Sequence, residues 1–258
     1  MRSGIRGNNE VTMLARTIDN MLDRIESMVE QITIEQAGKR KAELEMLQAQ
    51  INPHFMFNLL NSIRFNILIR GDRENAELIE SLSSLLRMTI NRDNEFITLQ
   101  EEIDTIGHYT RLMNFRHANQ VRLDVSLIPG CEKALVPRFI IQPFIENAII
   151  HGFEQFDGDI FIEAERVEQQ GASDLRITVR DNGAGMNKSR LDELLAKMNQ
   201  DNGNAKEGPR QGFSGIGVVN VFQRLRLIYG EKLVTELHSE EDVGTVIVIQ
   251  FPYETKAR

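Results

Sequence analysis

Gln142-Pro143-Phe144-Ile145-Glu146-Asn147-Ala148-Ile149-Ile150-His151-Gly152 is the stretch on which the fold turns. It reads as a helix whose apolar face is broken by Glu146, Asn147 and His151. Downstream, an apolar run with strand character ends in Asp181-Asn182-Gly183-Ala184-Gly185-Met186, a carboxylate followed by turn-forming residues. A third patch, Gly212-Phe213-Ser214-Gly215-Ile216-Gly217-Val218-Val219-Asn220, leads into another helical pattern, where exposed amides and the helix dipole suit a phosphate. Taken singly, these are a polar helix face, a turn and a flexible linker. Their order along one chain is what carries information.

Around the patches the pattern alternates between strand and helix. Val121, Leu123, Val125 and Leu127 alternate with Arg122, Asp124 and Ser126, a period-two strand that stops at Pro129-Gly130. Pro137 is placed to open a helix running to about His151. Further strands are predicted at Ile160–Ala164, Leu175–Val179, Leu233–His238 and Val246–Phe251, and helices at Lys188–Asn199 and Val218–Tyr229. This interleaving predicts an α/β sandwich over residues 119–258. Asn199 to Ser214 holds three glycines, a proline and few apolar residues, and reads as a mobile lid.

Upstream the pattern is helical. Val11, Leu14, Ile18, Met21, Ile25, Met28 and Ile32 alternate spacings of three and four, the seam of a coiled coil that should self-associate. The phase is lost in the charged stretch Glu35–Glu45, where Gly38 lowers helix propensity, and apolar residues resume at Leu44, Leu47 and Ile51. Helical spacing returns in Glu74–Ile90 and again after Thr98, where Thr98-x-x-Glu101 fits a capping box opening a helix towards Phe115. Arg70-Gly71-Asp72 reads as a turn between helices. The expected division is a coiled-coil signalling helix in residues 1–34, a helical domain in 35–118 and the sandwich in 119–258.

Composition narrows the function. A chain of 258 residues makes one large or two modest domains. Thirty basic against thirty-eight acidic residues, with the basic ones scattered, disfavour nucleic acid. The single cysteine, Cys131, supports neither an internal disulfide nor a zinc cluster and fits a reducing compartment. The most apolar window, Phe139–Ile150, is interrupted by Gln142, Pro143, Glu146 and Asn147, well short of the roughly 20 apolar residues of a spanning helix. A soluble, cytoplasmic segment is expected, and Met1–Gly7 reads as a cut made inside a longer protein.

There is no Gly-x-x-x-x-Gly-Lys-Ser/Thr, and neither glycine patch completes Gly-x-Gly-x-x-Gly after a strand. Instead, the three patches in this order resemble the N, G1 and G2 boxes of the GHKL-type (Bergerat) ATP-binding domain shared by histidine kinases, DNA gyrase, Hsp90 and MutL. Gly244-Thr245 stands where that family often has a further Gly-Thr, and the resemblance covers about Pro137 to Pro252. It implies ATP and Mg²⁺ as cofactors. It places Asn147 on the metal that bridges the triphosphate, with His151 a polar neighbour, and Asp181 against the adenine amino group beside Thr245. Gly183 and Gly185 would let backbone approach the base, and Gly212, Gly215 and Gly217 would do so at the phosphates. These roles suit the residue types, since an amide oxygen suits hard Mg²⁺ and a residue without Cβ permits close approach. Glu146 would position a proton or a water. Pro143 departs from the pattern, standing where many histidine kinases have the first asparagine of this box.

The helical half supplies an acceptor. Gln50, His54, Asn58 and Asn61 recur at spacings of four, four and three on one helix face, beside an apolar row of Ile51, Phe55, Leu59 and Ile63. His54 should therefore reach solvent at the edge of a bundle, with Pro53 bending the helix just before it. Imidazole is mostly unprotonated near neutral pH, as attack by nitrogen requires. The run Gln50-Ile51-Asn52-Pro53-His54-Phe55-Met56-Phe57-Asn58 resembles the phosphoacceptor segment of the LytS/YesM-type sensor histidine kinases. Phe55 stands where commoner histidine kinases have an acidic residue, and Asn58 can orient the ring without serving as a base. Glu10–Glu26 looks like the second helix of a HAMP relay. His108, His117 and His238 have no ligand-like spacing.

The resemblance implies an α+β multidomain protein in which a dimeric helical bundle carries His54 ahead of the ATP-binding sandwich. It implies the cytoplasmic portion of a membrane sensor kinase. The chain would autophosphorylate His54 from Mg-ATP, and a response-regulator receiver domain would take the group. The alternatives are a GHKL-type ATPase with a nucleotide-clamped dimer, where Glu146 activates water, and a non-catalytic coiled-coil docking module.

Overall fold

In a computed structural model of the protein, the described residues are 53–90, 94–116, 120–153, 156–169, 171–199 and 216–255, with Met21, Arg24, Met28, Gln31, Glu35, Gln36 and Lys39. The chain divides into two units, Met1–Met56 and Phe57–Arg258. In the first unit, the seven separate residues from Met21 to Lys39 are all helical. Most of the expected coiled-coil seam and HAMP-like segment falls outside the described residues. So do Gly212, Gly215 and residues 200–214 of the expected lid.

Helix α1 (Pro53–Ile69) holds residues of both units and carries His54 and Asn58, both exposed. The bend expected before His54 involves residues 49–52, outside the described ones. Gly71, with φ of 82°, makes the turn that follows. Asp72 then caps α2 (Arg73–Ile90): the Asn75 backbone N–H and side-chain amide donate to its two carboxylate oxygens at 3.1 and 2.6 Å. Those bonds hold the Asp72 carboxyl below its ordinary pKa. In the second unit α1 and α2 are linked by Arg64 to Glu80 at 3.3 Å and by Arg87 over the Phe57 ring at 5.1 Å.

The expected capping box forms. Thr98 donates its backbone N–H and hydroxyl to Glu101 Oε2 at 2.8 and 2.9 Å, and the Glu101 N–H donates back to Thr98 Oγ1 at 3.2 Å, opening α3 (Leu99–Arg116). Just before it lies β1 (Phe96–Thr98), which pairs antiparallel with β3 (Leu135–Pro137). Three-residue strands show no period, so neither was legible in the sequence. This overturns the reading of Pro137 as a helix opener. Pro137 ends β3 opposite Phe96, and the helix opens five residues later at Gln142, with Pro143 in its first turn. A proline without an N–H suits a strand terminus as well as a first helical turn.

The remaining elements are β2 (Val121–Leu127), α4 (Gln142–Asn147) continuing as a π-helical turn over Ala148–Gly152, β4 (Gly158–Gln169), β5 (Ala172–Asp181), α5 (Lys188–Asn199), α6 (Ile216–Tyr229), β6 (Val234–Glu240) and β7 (Gly244–Pro252). They form a sheet in the order β2-β4-β5-β7-β6, with β2 parallel to β4 and the other neighbours antiparallel. A parallel pair needs a crossover, and here the crossover carries β3 and α4. The predicted β2 matches residue for residue, whereas the predictions for β4 and β5 are the apolar centres of longer strands, whose ends are polar and lack the signal.

One face of the sheet is the core. Ile160, Ile162, Leu175, Ile177, Ile249 and Phe251 are fully buried there against Phe144 and Ile145 of α4 and Phe222 and Leu225 of α6. Each such side chain stabilises the fold by about 1.5–3 kcal/mol. Ile97, Leu99, Ile103 and Ile106, from β1 and α3, join the same core. The sandwich is therefore built partly from the stretch that reads as mostly helical.

Candidate functional site

β5 delivers Asp181 to the edge of a cavity of about 270 Å³. Register places Asp181 opposite Thr245 at the start of β7. Asp181 Oδ1 accepts the Gly183 N–H at 2.9 Å and the Thr245 N–H at 3.3 Å. Among the described residues both hydrogen bonds go to Oδ1, which leaves Oδ2 to meet a ligand donor. Burial pushes the Asp181 carboxyl up from its ordinary pKa, and the two amide bonds oppose this. The Thr245 hydroxyl lies 3.0 Å from Ser239 Oγ, and Ser239 donates its single proton to the Gly244 carbonyl at 3.1 Å. Thr245 is then the donor to Ser239, and its own oxygen keeps lone pairs towards the cavity.

The wall beyond Asp181 is apolar. Val179, Met186, Leu194, Leu237 and Ile247 line it, from β5, the loop after it, α5, β6 and β7. α4 forms the opposite side, contributing Phe144, Asn147 and Ala148, while His151 and Gly152 come from its π-helical continuation. A cavity with a largely apolar wall and a carboxylate and a hydroxyl acceptor in its lining can hold a ring that carries an amino group. Asn147, half-buried, puts an amide into the same space.

Thus five of the sequence candidates, Asn147, His151, Asp181, Gly185 and Thr245, line one cavity although they are far apart in the chain. The glycines prove to serve chain packing around Asp181. A Cβ on Gly183 would stand 2.8 Å from Gly152 Cα and 2.9 Å from Asp181 Oδ1. Gly185 has φ of +63°, and a Cβ there would run into the Glu240 carbonyl of the β6–β7 turn. Gly217, in the first turn of α6, stands against Pro143, whose Cβ a Gly217 Cβ would meet at 3.4 Å, so the first and third sequence patches touch. Glu146 is not brought into the cavity wall: its Oε1 accepts the Gln142 side-chain N–H at 2.8 Å. Tyr109 of α3 feels that carboxylate, and burial together with Glu146 pushes its phenol up to about 12. His54 and Asn58 lie on α1, outside this cavity. Arg190 and Leu194 of α5, which also line it, are not singled out by the sequence because a cationic and an apolar side chain on a short helix have no motif of their own.

Residues 133–255, which include every residue of the cavity, match the family described as "Histidine kinase-, DNA gyrase B-, and HSP90-like ATPase", and residues 42–121 match "Histidine kinase". The chain belongs to the histidine kinase family, of the LytS/YesM type. Among the relatives of this family are "Sensor histidine kinase YesM" of Bacillus subtilis, 32% identical over 95% of this chain and 39% of that protein, and "Sensor protein LytS" of Staphylococcus haemolyticus, 33% identical over 84% of this chain and 35% of that protein. "Sensor histidine kinase BtsS" of Escherichia coli is 30% identical over 84% of this chain and 34% of that protein. The chain therefore spans about a third to two fifths of the length of the curated relatives it matches. Its fold is that of the family, a helical part followed by an α/β ATPase domain. No helix among the described residues is long and apolar enough to cross a membrane.

Proposed function

We propose that this chain is the catalytic core of a two-component sensor kinase, transferring the γ-phosphoryl group of ATP to His54. A ring nitrogen of His54 attacks the γ-phosphorus, the bond to the bridging oxygen breaks, and ADP leaves. The observation that carries the reading is the meeting of Asn147, Asp181 and Thr245 around one cavity, in a chain that also holds an exposed histidine inside the segment matching "Histidine kinase".

In this reading Asp181 Oδ2 and the Thr245 hydroxyl accept from the adenine amino group, and the apolar wall takes the ring faces. A volume of about 270 Å³ accommodates the nucleoside while the phosphates run out past Asn147 towards Gly217 and the start of α6. Asn147 fits a metal held mainly by phosphates: one hard amide oxygen is the single-ligand arrangement that Mg²⁺ accepts when a substrate supplies the rest. Among the described residues no cluster of three or more His, Cys, Asp or Glu offers a self-sufficient cation site. Bound there, Mg²⁺ would neutralise charge spreading over the transferring phosphoryl oxygens. Asn58 orients the His54 ring, and the exposed apolar side chains Phe55, Leu59, Phe65 and Ile69 of α1 supply a face for a second copy of the chain. An aspartate of a receiver domain would take the group from His54.

Incubation with Mg-ATP followed by intact-mass measurement and peptide mapping tests the reading. The expected product gains one phosphoryl group that survives alkali, is lost in acid, maps to the peptide containing His54 and is absent from His54→Gln. Steady ATP hydrolysis with no modified histidine would instead support the ATPase alternative and overturn the proposal.

A further inference from the structure

The short segment joining β3 to α4 is held by side chains from two helices. Glu102 of α3 is fully buried, and its carboxylate accepts the backbone N–H groups of Phe139 at 2.9 Å, Ile141 at 3.1 Å and Gln142 at 3.5 Å. From the other side, Arg224 of α6 donates to the carbonyls of Arg138 at 2.5 Å and Phe139 at 3.2 Å. Phe139, at φ of 56°, gives its N–H to the acid and its carbonyl to the base. The backbone groups of this turn are thus satisfied by a buried acid and a half-buried base rather than by a strand or helix.

Such an arrangement is costly. The buried carboxylate loses several kcal/mol of hydration and the half-buried guanidinium part of its own, and an apolar pair of similar volume often stabilises a core at least as well. Stability alone therefore does not explain it, and what the two side chains grip does. Gln142, whose N–H is on Glu102, is the first residue of α4, and Asn147 is the last. At 1.5 Å per residue, Asn147 lies only about 7.5 Å along the axis from the clamp. Arg224 belongs to the same helix as Gly217, which stands against Pro143.

We propose that Glu102 and Arg224 are positioning residues that set the placement of α4, and through it the hold of Asn147 on the metal-bound phosphates, an inference that rests on the nucleotide reading above. Glu102 touches neither nucleotide nor metal. It acts by fixing where the helix starts. Because a misplacement of about 1 Å can cost about 10²-fold in a transfer step, a clamp at the root of this helix has leverage.

The test uses the full chain and Glu102→Gln, which keeps shape while putting an amide donor among three backbone donors. Affinities are measured by calorimetry for Mg-ADP, for ADP with a chelator and for adenosine. Mg-ADP binding should weaken by about tenfold or more, the usual effect of disturbing a group that orients a ligand, while adenosine affinity stays within twofold because the Asp181 end is untouched. Arg224→Lys, which keeps the charge and one donor, should move the same way and carries the test if Glu102→Gln does not fold. Adding Asn147→Ala to either variant should bring no further loss beyond Asn147→Ala alone. Equal losses for adenosine and Mg-ADP, an unchanged Mg-ADP affinity, or additive losses in the double variant would each overturn the proposal. If Asn147→Ala itself leaves the metal's contribution intact, it is the metal reading that fails, and the clamp proposal falls with it.

Discussion

Replacing Asp181 with Asn separates what the carboxylate does for the fold from what it does for the ligand. Oδ1 is held by two backbone N–H groups, from Gly183 at 2.9 Å and Thr245 at 3.3 Å. In the variant the amide oxygen must take that place, because the alternative orientation would set an NH₂ against two donors. The NH₂ group is therefore forced into the position of Oδ2, where the proposed binding mode puts the amino group of adenine. One charge-assisted hydrogen bond, worth about 1.5–3 kcal/mol, is lost, and a donor is left facing a donor, a further cost of about 1–3 kcal/mol. Together these predict ATP binding weaker by about sixtyfold or more at 1.4 kcal/mol per decade. A purine with a carbonyl at the same position should lose far less, since the new NH₂ can donate to it. Titration calorimetry with ATP and ITP measures both, and the reasoning fails if Asp181→Asn keeps wild-type affinity for ATP or loses ITP equally.

The same substitution should leave the unliganded protein at least as stable at neutral pH. Burial raises the Asp181 pKa above its ordinary 3.8 in the fold, so folding favours the protonated form. The stability this group contributes is complete below its unfolded pKa and is lost as pH rises through the raised folded value. Thermal midpoints of wild type and Asp181→Asn should therefore differ in favour of the variant at pH 7 and converge as the pH falls below the ordinary aspartate range. Nucleotide binding by the wild type should fail on acidification above pH 3.8, because the proton goes to the oxygen meant for the base.

Further substitutions discriminate packing from ligand contact. Gly185→Ala combines a positive φ with a collision at the Glu240 carbonyl and should destabilise the sandwich by about 2–5 kcal/mol in chemical denaturation. Gly217→Ala meets only Pro143 Cβ at 3.4 Å. Its midpoint should be unchanged or slightly higher, because alanine favours helix by about 1 kcal/mol, so any loss of nucleotide binding there reports on phosphates rather than on folding. Thr98→Ala removes the hydroxyl that receives the Glu101 N–H and should cost about 1 kcal/mol, read as a lower thermal midpoint with adenosine affinity unchanged.

The legible parts of this protein are those with a local cause. The capping box at Thr98 and Glu101, the turn at Gly71 and the helix Lys188–Asn199 were all readable from neighbouring residues, because the bonds or periodicity that make them span four residues or fewer. The strands were located by their apolar centres and misjudged in length where polar residues extend them. β1 and β3 were missed, and Pro137 misread, because a three-residue pairing is decided by a partner about 40 residues away. Among the site residues, Asn147, His151, Asp181, Gly185 and Thr245 were named from motif order, and the structure adds their common cavity. Glu102 passed unnoticed in the amphipathic pattern of α3, where a charged residue reads as solvent-facing.

By itself the sequence determined the order of elements, the helical then α/β division and the identity of the polar groups that punctuate the sandwich, since periodicity, capping and turn chemistry act over short range. Only the tertiary structure decided that β1 and α3 belong to the core of the sandwich, that Gly183 and Gly185 are required by chain crossing chain, and that a buried acid and a half-buried base hold the root of α4. Those facts depend on which distant backbone approaches which side chain. That is settled by how the whole core packs and leaves no local trace.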